Sequence, residues 1–167
     1  ELVALLAPGE LGASSELSRR VCKFDRPDFR ISLLGAWSEH AAEGAWEFTE
    51  TTGERQIVVS VAHLPTELDH EDLQDALARR IDEEMAALRA EAGGAARMSE
   101  VRCAEATSGV QARFNGIGES GDLFFAVCVY AAPAKFVTLT YRDFRPSLPE
   151  EVRGREASES VASFRVK

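Results

Sequence analysis

The six residues Gly116-Ile117-Gly118-Glu119-Ser120-Gly121 carry the glycine spacing with which dinucleotide-binding loops bring backbone amides up to a pyrophosphate. That chemistry needs a helix N-terminus directly after the glycines. Leu123-Phe124-Phe125-Ala126-Val127 follows instead, an apolar run of strand character. The string therefore predicts a mobile hairpin loop rather than a nucleotide site. Ser120 also misses the nucleophile elbow, because Asp122 stands where the second glycine of G-x-S-x-G belongs.

The three histidines, His40, His63 and His70, form no i, i+3 or i, i+4 pair, and no cysteine lies at metal-site spacing from them. No metal and no cofactor is expected. Glu71, Asp72, Asp75, Asp82, Glu83 and Glu84 offer a docking face for a basic partner or, equally, the solvated side of a helix. Neighbouring carboxylates such as Glu83 and Glu84 point in different directions on a helix and do not make an acid and base pair. Cys22, Cys103 and Cys128 are odd in number and widely spaced, which suits reduced, buried, structural thiols; a Cys103–Cys128 bridge requires neighbouring strands. No catalytic residue emerges, and an enzyme is not expected.

The segment from Trp37 to Trp46 is the candidate contact surface. It reads as a loop of small residues between two tryptophans, the residue type most enriched at binding hot spots. Trp37, Glu39, His40 and Trp46 are its partner-binding candidates. The competing reading has both tryptophans closing the end of a core.

Composition bounds the remaining classes. The 167 residues, 45% hydrophobic and 28% charged, suit one domain. A formal charge of −9 argues against nucleic acid, whose phosphates need clustered Lys and Arg. No apolar run approaches the roughly 20 residues of a membrane span. Numbering begins at Glu1 rather than a methionine, which leaves room for an upstream segment. Residues 1–20 read as an appendage and residues 21–167 as a single domain.

The elements that must position these residues begin with extended stretches at Val21–Phe24 and Phe29–Leu33, the latter alternating apolar and polar. Trp46–Thr49 and Gln56–Ala62 form a hairpin about Thr52-Gly53-Glu54. A helix spans Asp69 to Ala92, because Leu73, Leu77, Ile81, Met85, Leu88 and Ala92 share one face. Asp69 is its cap, Leu68 and Leu73 its hydrophobic staple, and Gly93-Gly94 its stop. Four strands follow, at Glu100–Thr107, Val110–Asn115, Leu123–Ala131 and Lys135–Arg142. A capping box at Ser147-Leu148-Pro149-Glu150 opens a second helix to about Ala162, weakened by Gly154 and thin in its apolar stripe. The fold class is α+β, an antiparallel sheet of about six to seven strands packed by two helices.

Phe29-Arg30-Ile31-Ser32-Leu33-Leu34-Gly35-Ala36-Trp37 resembles the opening of PsbP-like domains, a strand entering a "P-x-G-W"-like turn, with Leu34 in place of the usual proline. Phe136-Val137-Thr138-Leu139-Thr140-Tyr141 is similar to a later strand of that superfamily, and Ser160-Val161-Ala162-Ser163-Phe164-Arg165 to its "SF" ending. The similarity runs from about Val21 to Lys167. It implies an α/β/α sandwich around an antiparallel sheet. The superfamily includes a photosystem II extrinsic subunit, a Ran-binding nuclear transport factor, DcrB-like bacterial lipoproteins and small bacterial chaperones for secreted toxins. Its members are mostly binding proteins, so the resemblance carries over no catalytic residue. An Ala-, Arg- and Glu-rich composition points to a high-GC bacterial source. The expected function is a non-enzymatic bacterial protein-binding module: a cytoplasmic chaperone, adaptor or immunity protein for a secreted effector. The alternative is a cell-envelope, lipoprotein-type binding domain. The expected partner is a protein, and a homodimer is compatible with the same features.

Overall fold

A computed structural model describes residues 20–167 of the chain. The appendage expected over residues 1–20 lies outside the described residues except for Arg20. The element order is β1 (Val21–Asp25), β2 (Phe29–Leu34), β3 (Trp37–Ala42), β4 (Ala45–Glu50), β5 (Arg55–His63), α1 (His70–Glu91), β6 (Arg97–Met98), β7 (Arg102–Ala106), β8 (Gly109–Ile117), β9 (Phe124–Ala132), β10 (Lys135–Asp143), α2 (Glu150–Val161) and β11 (Arg165–Val166).

The described residues form an antiparallel α+β fold with two sheets. Eight strands make the large sheet, in the order β3-β4-β5-β10-β9-β8-β6, with β7 also pairing β8. The small sheet has the order β1-β2-β11. Strand β10 locks the two halves of the chain together: Lys135–Asp143 pairs residue for residue with His63–Arg55 on one side and Ala132–Phe124 on the other. Its alternation assigns Val137, Leu139 and Tyr141 to one core and Phe136 to the other.

Helix α1 covers one face of the large sheet at β8 and β9. Leu73, Leu77, Ile81 and Leu88 are buried against Val110, Ala112, Phe114, Phe125, Val127 and Val129, each buried Leu or Ile contributing about 1.5–3 kcal/mol. Its start is fixed as the sequence predicts, with the Asp69 carboxylate accepting from the Asp72 amide at 2.9 Å. Its end is fixed by Gly93 and Gly94, both at positive φ, the Gly94 amide donating to Arg89 O at 2.7 Å.

The opposite face is covered by two elements side by side. The small sheet brings Phe29, Ile31 and Leu33 onto Phe48, Ile57 and Val59, and α2 brings Ala157 to the same core. The chain's last strand is held by a side chain that mimics a backbone pair: Ser163 Oγ accepts from the Ser32 amide at 2.9 Å and donates to Ser32 O at 2.7 Å. Phe164 then packs on Phe29, ring centroids 5.7 Å apart.

Several expectations are corrected. Among the described residues eleven strands in two sheets replace the expected six to seven in one, and the layer opposite α1 is a small sheet plus a helix rather than a helix alone. The Trp37–Trp46 segment is a tight β-hairpin, not a loop, turning at Gly44 with φ 72°. The capping box of α2 does not form: Pro149 occupies the cap position and no side chain bonds the free amides. Cys103 is exposed, and all three cysteines are free thiols, since β8 lies between the strands carrying Cys103 and Cys128.

Candidate functional site

The hairpin β3–β4 places the predicted contact residues on two different faces. Trp37, Glu39 and Trp46 look inward to the small sheet. The Trp37 indole donates to Leu34 O at 3.0 Å and lies under the Arg55 guanidinium at 5.4 Å. Trp46 meets Phe29 edge-on at 5.2 Å. Glu39 accepts a forked pair of hydrogen bonds from Arg26 on the β1–β2 turn. These contacts fasten one layer to the other. His40 is on the outer face, exposed, opposite Glu47. The other two histidines are remote from it, His63 at 3.4 Å from Asp28 and His70 at 3.7 Å from Glu105. Among the described residues no three His, Cys, Asp or Glu side chains are grouped to hold a metal ion.

A charge cluster that sequence reasoning missed lies where β10 ends and α2 begins. Arg153, 1% exposed, donates to Gly121 O at 2.7 Å, Asp122 O at 3.3 Å and Asp143 O at 2.5 Å. Asp143, fully buried, accepts from Arg145 Nε at 3.1 Å and Nη2 at 2.6 Å. Arg145 also reaches Glu156, and Arg55 bonds Glu50. Burial pushes the Asp143 carboxyl up, but the hydrogen bonds and charge of Arg145 outweigh it and leave the group below the ordinary carboxylate range. Burial, then the Asp143 charge, pushes the Tyr141 hydroxyl up to about 12. The cluster is a clamp. It fixes the glycine-rich turn, which also closes on itself through Gly118 N to Leu123 O at 2.9 Å. Gly116 belongs to β8, where an added Cβ would meet the Phe125 ring at 2.5 Å. The G-x-G-x-x-G spacing thus serves close packing at Gly116 and a hairpin turn between β8 and β9 that Arg153 holds from beneath.

The face shared by β8 and β9 away from α1 is only partly roofed. Here Gln111, Arg113 and Asn115 alternate with the core residues Val110, Ala112 and Phe114. Helix α2 packs chiefly against β9 and β2. A groove of about 510 Å³ results, with Arg102, Arg113 and Asn115 on its floor and Phe124, Ala157 and Val161 along its wall. A second hollow of about 520 Å³ shares Arg113 and Cys128 with it and continues to Tyr130 and Arg165. Burial pushes the Cys128 thiol up, opposed by the adjacent Arg113, so the thiol is not poised as a nucleophile. The arrangement is suited to binding: apolar walls, a polar floor, and small residues Gly154 and Ser158 on the helix side.

No protein-family model matches the chain, and no curated protein matches it. A crystal structure from Bacteroides thetaiotaomicron VPI-5482 aligns at 14% identity and TM-score 0.49, over 87% of this chain and 48% of that one. The chain spans about half the length of that protein. A likeness of this degree decides neither fold nor function.

The wet face of β8 was legible as alternation, but its position beside α2 was not. The groove arises from segments more than 40 residues apart in sequence, such as Arg113 and Ser158. The one local signal was the thin apolar stripe of α2, which leaves small residues facing the sheet. Among the described residues no helix is long and apolar enough to cross a membrane.

Proposed function

We propose that this chain is a non-enzymatic protein-binding module, a bacterial chaperone, adaptor or immunity protein for a secreted effector, of the PsbP-like kind that its sequence resembles. The observation that carries the reading is the open groove between β8 and α2. Its walls offer apolar surface and its floor offers hydrogen-bonding side chains, the mixture that protein interfaces use. The buried charge cluster supports the same reading, because its acids and bases are spent on one another and on backbone carbonyls. The inward-facing tryptophans move the expected contact surface from the β3–β4 hairpin to this groove, with His40 the most accessible of the hairpin candidates.

The test is affinity purification from the native host with the full chain as bait, beside a Ser158→Trp variant. Ser158 is exposed on α2 and lines the groove, so the bulky side chain fills the site without entering the core. A specific protein partner is expected with the wild type and at least tenfold less of it with the variant. Absence of any specific partner contradicts the reading.

A further inference from the structure

We propose that the groove recognises an acidic segment of the protein partner, with Arg102 and Arg113 taking a carboxylate between them; the inference rests on the protein-binding reading and specifies its chemistry. Arg102 and Arg113 are directly paired across β7 and β8 and therefore project from the same face. Two like charges opposed in this way destabilise a strand pair unless something neutralises them. Among the described residues neither guanidinium has a carboxylate within 4.0 Å; the Arg113 side chain hydrogen-bonds Gln111 Oε1 at 3.4 Å and lies beside the Cys128 thiol. Other exposed arginines, such as Arg30, Arg79 and Arg89, also lack a carboxylate partner among the described residues, although carboxylates outnumber Lys and Arg by 28 to 19; what sets Arg102 and Arg113 apart is that they are paired with each other beside a groove. Arg26, Arg55, Arg97, Arg142 and Arg145 each meet a carboxylate.

The continuation of the groove adds a third cation of the same kind. Arg165 donates to the backbone carbonyls of Ala162 and Phe164 and, among the described residues, to no acid. The acidic groups on the same lining are Glu100 and Glu105, the latter 3.7 Å from His70. Guanidinium pairs bind carboxylates through forked, charge-assisted hydrogen bonds, and the apolar side chains on either side, Phe124, Val161 and Tyr130, suit hydrophobic residues flanking the acid. The net charge of −9 repels an acidic partner at long range, so recognition is local to the arginines and does not depend on steering.

The full chain is titrated with a fluorescein-labelled hexapeptide alternating leucine and glutamate, and with the same peptide carrying glutamine for glutamate. The glutamate peptide is expected to bind at least tenfold more tightly, and Arg113→Gln or Arg102→Gln to abolish the difference. Both arginines are exposed and removing either relieves the like-charge pair, so the variants are expected to have a thermal midpoint no lower than that of the wild type. Equal binding of the two peptides, or a preference that survives both substitutions, overturns the proposal. Tighter binding of decanoate than of the glutamate peptide overturns it in favour of a lipid carboxylate. A host partner retained undiminished by Arg102→Gln/Arg113→Gln overturns the acidic-segment inference and leaves the protein-binding reading standing, whereas failure to capture any partner defeats the reading itself.

Discussion

Asp143 concentrates the chemistry of the clamp in one side chain. It is buried, yet Arg145 holds its carboxyl below the ordinary range, so the folded protein binds fewer protons there than the unfolded chain. Glu50 behaves alike: burial raises its pKa, and the hydrogen bond and charge of Arg55 lower it by more. The stabilisation from such groups is complete above the unfolded carboxyl value of about 4 and is lost as pH falls through the folded value. Tyr141 has the opposite sign. Its raised pKa contributes stability below the unfolded value of about 10, lost as pH rises through about 12. Urea unfolding followed against pH is therefore expected to show no loss from these three groups between about pH 5 and 8, and a decline below about pH 4. Asp143→Asn is expected to lower the neutral plateau by about 3 kcal/mol and to flatten the acid decline. An acid decline as steep in the variant as in the wild type contradicts this account of the clamp. None of this was legible in sequence, because no local pattern marks Asp143 and Arg145 just past a strand, or Arg153 on a helix, as buried or as partners.

At the scale of elements, legibility followed the density of local signals. Helix α1 carried a cap, a staple, an apolar stripe and a double-glycine stop; the structure has the cap, the stripe and the stop, and packs Leu68 on the same core cluster as Leu73. Strand β3 carried almost none. Ser38-Glu39-His40-Ala41-Ala42 has little intrinsic β preference, and it is extended because it pairs with β4 and because Trp37 anchors it to the layer below. Strands β6 and β11 have two residues each, too few for any alternation to show. Helix α2 was placed correctly in range but not in its cap, since Pro149 takes the position that Ser147 was expected to fill from two residues away. Its weak point is Gly154, whose added Cβ would lie 3.7 Å from Phe124 Cζ, an ordinary contact. Gly154→Ala is accordingly expected to stabilise the protein by about 0.5–1 kcal/mol in chemical unfolding, the helix-propensity difference. A net loss of stability would contradict this, showing that the added methyl does not fit beside Phe124.

At the scale of the molecule, the two faces of the large sheet are covered unequally. Helix α1 spans β8 and β9 on one side, while on the other the small sheet and α2 leave β8 bare, with β7 continuing the floor. That bare stripe could not be read from sequence, because it depends on β10 inserting between β5 and β9 and on where α2 then comes to rest. The alternation that marks Gln111, Arg113 and Asn115 as a wet face says nothing of what stands beside it. The central claim is that a partner binds across this stripe and not on the Trp37–Trp46 hairpin. Amide hydrogen exchange of the chain alone and in complex with its captured partner tests it most directly. The account predicts new protection in peptides covering Arg102 to Asn115 and α2, with the β3–β4 hairpin unchanged; protection confined to Trp37–Trp46, with β8 and α2 unaffected, would contradict it.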